Sequence, residues 1–280
     1  MAKHKLFCAI LTVSVTAMMA SCVGNVDAAF YSSTLTPSYT PPPDNTIPLI
    51  STGWPRPTNP DRTEPNPASD FLYEIKGNSV TITGYVGRDG DVVIPDKIEG
   101  KSVTCIGKEA FSGTSRLTTI KLPNGVTSIE EGAFYYCFFL ERITIPESVK
   151  SIGDYAFGLC MFLTDITIPK GLTKIGNGVF ANCVNLRSIT IPNGVRSIGD
   201  YAFTHCRALT SITIPSSVKS IGDHAFARCP NLTVTCSPNS YVHQYCVENN
   251  IKFQLTQGRH CLMEFFLNVF NKLNIFNKTF

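Results

Sequence analysis

A chain of 280 residues with 43% hydrophobic and 16% charged content can bury one sizeable domain and carry tails, so it is not disordered as a whole. The formal charge is only +3, and Lys and Arg are scattered among Asp and Glu. Without the basic clusters that neutralise phosphates, a nucleic-acid partner is excluded.

The N-terminus reads as an address. Lys3, His4 and Lys5 precede an apolar run from Leu6 to Ala20, the charged and apolar regions of a secretory signal. That run is shorter than the roughly 20 apolar residues that cross a bilayer, so export is expected rather than a permanent membrane helix. Met19-Ala20-Ser21-Cys22 resembles a bacterial lipoprotein lipobox, with Met19 where Leu is usual. This resemblance implies a signal peptide over 1–21 and lipid attachment at Cys22; the alternative is an ordinary signal cut after Ala28. From 22 to 68, Pro37, Pro41, Pro42, Pro43, Pro48, Pro55, Pro57, Pro60, Pro65 and Pro67 block helix and favour an extended, flexible spacer.

Strand chemistry begins near Asp70. Phe71 to Ile75 and Val80 to Thr83 alternate around Gly77-Asn78, which predicts a β-hairpin capping the N-terminal end over 69–93. Repeats follow over 94–235. Leu122-Pro123, Ile145-Pro146, Ile168-Pro169, Ile191-Pro192 and Ile214-Pro215 lie 23 residues apart, and the first unit is lengthened by an insertion from Asp96 to Lys101. A period of this size belongs to solenoid coils, each of which needs a neighbour to cover its apolar face.

Within a unit, Arg142-Ile143-Thr144-Ile145 alternates outward and inward, so equivalent strands are expected to stack as one continuous parallel sheet at about 4.8 Å. Proline stops each strand because it has no N–H for the ladder. Asp154-Tyr155-Ala156-Phe157 then predicts a short helical turn capped by the Asp, repeated at Asp200 and Asp223. Phe111, Phe134, Phe157, Phe180, Phe203 and Phe226 form a predicted ring ladder. Cys137, Cys160, Cys183, Cys206 and Cys229 share one coil position and read as buried, reduced packing thiols, not a metal site.

Ser237 to Ser240 offers a helix start, Tyr241 to Asn249 a short helix and Ile251 to Phe253 a strand, together a C-terminal cap over 236–257 in which Cys236 and Cys246 are candidates for a bridge. In the 258–280 tail, Leu262, Phe265, Phe266, Val269, Phe270 and Leu273 fall on one helical face. Three roles compete for it: docking on the last coil, which is preferred, meeting a membrane or partner, or lying outside the repeat pattern.

The string IPNGVRSIGDYAFTHCRALTSIT, Ile191 to Thr213, resembles the BspA-like, treponemal-type leucine-rich repeats of bacterial and some protist surface proteins. The resemblance implies an α/β-type solenoid: a right-handed leucine-rich repeat superhelix of parallel strands with short helical or irregular returns. It also implies adhesin-like display at a cell surface, as an outer-membrane lipoprotein or in secreted form, with a host protein among the possible partners and no catalytic residues.

No nucleophile elbow, zinc-protease helix or phosphate loop occurs in the sequence, so no enzyme and no cofactor is expected. The function expected is binding of a protein or other macromolecule, with contact to a membrane only through the lipid anchor. The alternative is a structural spacer whose repeats have no specific ligand. If the strand face binds, its outward rows are Lys121, Thr144, Thr167, Thr190 and Thr213, and Thr119, Arg142, Asp165, Ser188 and Ser211. A Thr row is also ordinary strand chemistry.

Overall fold

The 23-residue period returns the chain to the same place one level further on, so backbone groups at equivalent positions meet between coils. The computed structural model describes residues 62–88 and 90–256, all within one unit, Arg56–Phe280. The signal segment, Cys22, the linker up to position 61 and the 258–280 tail lie outside the described residues.

Strands β1 (Phe71–Lys76) and β2 (Ser79–Tyr85) form the antiparallel hairpin. Its turn needs a residue that tolerates positive φ, and Gly77 supplies +62°. After β3 (Asp91–Val93), the insertion of the first coil folds as its own small hairpin: β4 (Lys97–Ile98) runs antiparallel to β5 (Lys101–Ile106). Contacts to the stack begin at Arg62, whose Nη1 donates to the Asp91 carbonyl at 3.2 Å, and continue at Asn66, whose N–H donates to the Val93 carbonyl and whose Oδ1 accepts from the Val93 N–H.

The coils then lay down short strands in pairs: β6 (Thr119–Lys121) with β7 (Ser128–Ile129), and β8 (Arg142–Thr144) with β9 (Ser151–Ile152). One coil contributes only β10 (Lys174–Ile175); the next give β11 (Ser188–Thr190) and β12 (Ser197–Ile198), then β13 (Ser211–Thr213) and β14 (Ser220–Ile221). β15 (Thr233–Cys236), helix α1 (Tyr241–Glu248) and β16 (Phe253–Leu255) complete the stack. The Ser-Ile strands were not foreseen, because a two-residue strand is too short to show alternation. They are nevertheless a second parallel ladder, with β5, β7 and β9 in one run and β10, β12 and β14 in another.

The predicted helical returns are absent. Tyr155 and Leu159 hold φ of 57° and 63°, and Tyr201 and His205 hold 56° and 61°. A right-handed helix cannot pass through such residues. Their amides bond across coils instead: Tyr155 N to Asn177 O, Leu159 N to Ala181 O and His205 N to Ala227 O, each at 2.8 Å, and Tyr201 N to Asp223 O at 2.9 Å. The Asp residues accordingly do not cap their own turn. Asp154 Oδ1 accepts from Asn177 N, Asn177 Oδ1 from Asp200 N and Asp200 Oδ1 from Asp223 N, all at 2.9 Å, so each ties its coil to the next.

The core runs the length of the stack. Phe111, Phe134, Phe157, Phe180 and Phe203 are fully buried, and their ring centroids are 5.2 to 5.7 Å apart. Tyr85 extends this column at one end and Tyr245 at the other. At the far end, Ser240 Oγ accepts from His243 N and caps α1. β16 begins two residues later than expected, because Val234 N donates to Lys252 O and so fixes Val234 opposite Phe253.

Candidate binding face

Parallel pairing places equivalent residues of successive coils directly beside each other. Thr119 pairs with Arg142 and Lys121 with Thr144, while Ser188 pairs with Ser211 and Thr190 with Thr213. Lys121, Arg142, Thr144, Ser188, Thr190 and Ser211 are exposed, with Ile120, Ile143, Ile189 and Ile212 buried between them. Thr213 is half-buried, as is Thr119, whose hydroxyl donates to Asp91 Oδ1 at 2.8 Å.

The expected continuous sheet is not formed. One run contains β3, β6 and β8, and the other β11, β13, β15 and β16. Asp165 and Thr167 are exposed on the same face but belong to neither run. The coils spread apart here. Thr164 N to Glu141 O and Arg187 N to Thr164 O are each 3.5 Å, whereas Glu141 N to Thr118 O is 2.8 Å.

Glycine packing shows the same widening in the second ladder. A Cβ on Gly199 or Gly222 would lie within 2.7 Å of the preceding coil's backbone, which is why a Gly follows Ser-Ile. At Gly176 the nearest backbone atom is 3.5 Å away. Across this seam the return turns stay bonded, with Tyr155 N to Asn177 O at 2.8 Å and Phe157 N to Val179 O at 3.0 Å. The seam therefore opens as a wedge on the strand side.

Chiefly between the Asp165 coil and the following Ser188 coil lies a groove of about 560 Å3, lined by Glu147, Asp165, Thr167, Lys170, Ser188, Thr190 and Asn193 together with Ile166, Ile168, Ile189, Ile191 and Pro192. Hydroxyls, both charge signs and an amide converge there, a set that can make directional hydrogen bonds but holds no nucleophile with a base beside it. Arg142 and Asp165, adjacent in the row, form no ion pair with each other among the described residues. Sequence reasoning missed Glu147, Lys170 and Asn193, which sit just past the prolines in turns. It also missed a surface cluster on the neighbouring rim, where the rings of Phe138, Phe139 and Phe162 lie 5.0 to 5.5 Å apart. Comparing coils position by position would have shown them, since Ser115 and Arg116 occupy the places of Phe138 and Phe139 one coil earlier.

The cysteine column is a structural device. Cys137 donates to Phe111 O at 3.0 Å, and Cys160, Cys183 and Cys206 donate to Phe134, Phe157 and Phe180 O at 3.2 Å. Each thiol thus adds a second hydrogen bond, from the next coil, to a carbonyl that already accepts a backbone N–H of its own coil. Burial pushes Cys137 up to about 12 and raises Cys160 and Cys183 as well. Cys229, at the end of the column, is half-buried and donates to Phe203 O at 3.0 Å, and the neighbouring Cys206 side chain lowers its pKa. Cys236 and Cys246 are buried free thiols, and burial, ahead of their effect on each other, raises the pKa of both. Burial, then the charges of Arg228 and Arg207, lower the pKa of His205. Among the described residues no group of His, Cys, Asp and Glu could hold a metal ion.

The model of the BspA-type leucine-rich repeat region matches residues 93–207 and 173–277, with six copies. The crystal structure of a leucine-rich repeat protein from T. pallidum is similar over 70% of this chain and 100% of its own, at 30% identity and a TM-score of 0.60. A leucine-rich cell surface protein from Faecalibacterium prausnitzii is 31% identical over 63% of this chain and 55% of its own, with a TM-score of 0.52. The pneumococcal vaccine antigen PcpA is 25% identical over 60% of this chain and 49% of its own, with a TM-score of 0.52. This chain therefore spans about half the length of each of those two. No curated protein matches it.

Proposed function

Because this chain belongs to the BspA-type leucine-rich repeat family, whose repeats are non-enzymatic scaffolds suited to protein–protein interaction, we propose that it is an exported surface protein whose strand face binds a macromolecular partner. The partner class is a protein, and adhesin-like attachment to a host or neighbouring cell is the role that fits display of such a face. Export rests on the signal-like N-terminus, and anchoring on Cys22 as the lipid attachment residue. The cell-surface description of the Faecalibacterium relative supports the same location.

The observation that carries the reading is the in-register display of exposed side chains on β8, β11 and β13, interrupted by a groove of mixed polar and apolar lining at Asp165. Side chains already held in place lose little entropy on binding. Arg142 and Asp165 are the charged members of their row and supply its directional contacts. The test is a pull-down with the full chain, followed by affinity measurement on the double variant Arg142→Ala and Asp165→Ala. Weaker binding with unfolding unchanged within about 0.5 kcal/mol supports the strand face. Unchanged binding refutes it and leaves the repeats as a spacer between other contact segments.

A further inference from the structure

The second ladder, built by the Ser-Ile strands, gathers charge that lies scattered along the sequence. Two rows run across it from coil to coil: Thr127, Lys150, Thr173, Arg196 and Lys219 in one, and Ser128, Ser151, Lys174, Ser197 and Ser220 in the other. Lys150 N to Thr127 O, Arg196 N to Thr173 O and Lys219 N to Arg196 O, each at 2.8 Å, hold the first row in place. Neither row contains an Asp or a Glu, and Lys150, Lys174, Arg196 and Lys219 are all exposed. Among the described residues the ion pairs are Lys76 with Glu74 and Lys108 with Glu131, so none of the four cations is paired. Lys219 Nζ spends one of its three hydrogens on Ser216 O. Past each buried Ile stands Gly153, Gly176, Gly199 or Gly222, with no side chain to cover the strip. The carboxylates of Asp154, Asp200 and Asp223 come one residue later, the first two bonded to amides of the next coil.

We propose that this strip binds a linear sulfated polysaccharide, on a face separate from the one formed by β8, β11 and β13. At about 4.8 Å per coil, Arg196 and Lys219 are neighbours, and Lys150 lies about 14 Å from Lys219 with Lys174 in the coil between. Four flexible cations in line match a ligand whose fixed charges follow one another along an extended chain. The Arg196 guanidinium can hold one sulfate through two N–H groups, and the lysines act as point charges. Ser151, Thr173, Ser197 and Ser220 lie among the cations and offer hydroxyls to the sugar hydroxyls. Other anionic partners need features the strip lacks. No aromatic ring stands in either row for a nucleic-acid base to stack on. None of the large exposed apolar side chains lies there to enter a bilayer or to anchor an acidic protein.

The probe is a fluorescently labelled heparin oligosaccharide, and its binding to the full chain is followed by anisotropy across salt from about 50 to 200 mM. Two variants remove the strip in halves: Arg196→Ala with Lys219→Ala, and Lys150→Ala with Lys174→Ala. Each should weaken binding at least about tenfold and flatten the slope of log affinity against log salt by roughly 1.5, at about 0.7–0.9 for each charge lost. Both should unfold at the denaturant midpoint of the parent, because exposed side chains are changed. Arg207 and Arg228 are exposed cations of the same two coils as Arg196 and Lys219 but lie off the ladder. Arg207→Ala with Arg228→Ala should therefore change affinity less than about twofold. Desulfated heparin should bind at least about tenfold more weakly than heparin. Failure of the parent to bind heparin at the lowest salt overturns the proposal, as do equal losses in the ladder and control variants. Equal affinity for desulfated heparin, duplex DNA or phosphatidylglycerol vesicles overturns it too, because the strip would then not select a sulfated sugar chain.

Discussion

Replacing Phe157 by Ala tests the ring column where it is most constrained. The ring is fully buried and stacks on Phe134 at 5.4 Å and on Phe180 at 5.7 Å, nearly parallel to both. Losing a buried phenyl ring costs about 3–5 kcal/mol through lost transfer energy and the cavity left behind. Two aromatic contacts worth about 0.5–1.5 kcal/mol each are part of that loss, because both neighbours keep their rings and face a void. Relaxation is limited, since the backbone around position 157 is pinned by Phe157 N to Val179 O and by Cys183 Sγ to Phe157 O. The loss should therefore fall toward the upper end of the range. Phe226→Ala is the internal comparison: its ring is 7% exposed, stacks on Phe203 alone and meets Tyr245 edge-on at 6.4 Å. Equilibrium denaturant unfolding of both variants should show the larger loss for Phe157→Ala. A stack of coils coupled only to neighbours can also split its transition when a central coil fails, so a biphasic curve for Phe157→Ala alone agrees with the same reasoning. A loss below about 1 kcal/mol, or equal losses for the two variants, would refute it.

Cys137, Cys160 and Cys183 should resist alkylation in the native protein even under mildly alkaline conditions, because burial keeps them protonated and out of reach, and they should label fully once the coils are unfolded. Rapid native labelling of Cys160, followed by peptide mass spectrometry, would contradict this. Asn66→Ala should cost about 1–3 kcal/mol, since it leaves the Val93 N–H buried without its acceptor; faster hydrogen exchange near Val93 is the local readout, and unchanged exchange would remove Asn66 from the fold's N-terminal tie. Cys22→Ala should release the protein from the membrane fraction if Cys22 carries lipid. An intact mass with an unmodified N-terminus at Ala29 would instead establish ordinary signal cleavage.

The sequence by itself determined the period, and the period determined the stack: residues 23 apart must coincide, so Phe157 had to meet Phe134 and Phe180, and Cys160 had to sit between Cys137 and Cys183. It also showed which residues of Arg142-Ile143-Thr144 face water, because alternation is a property of the strand alone. The returns were decided only by the tertiary structure. Asp154-Tyr155-Ala156-Phe157 is compatible with a capped helical turn when read alone, but its amides find carbonyls one coil away, and Tyr155 and Leu159 adopt positive φ to aim them there. The seam at Asp165 was equally invisible, since its own coil repeats the Ile-Thr-Ile-Pro pattern of its neighbours. Whether a strand joins a ladder depends on the spacing between coils, and that spacing is set by how whole coils pack across the core rather than by the residues of the strand itself.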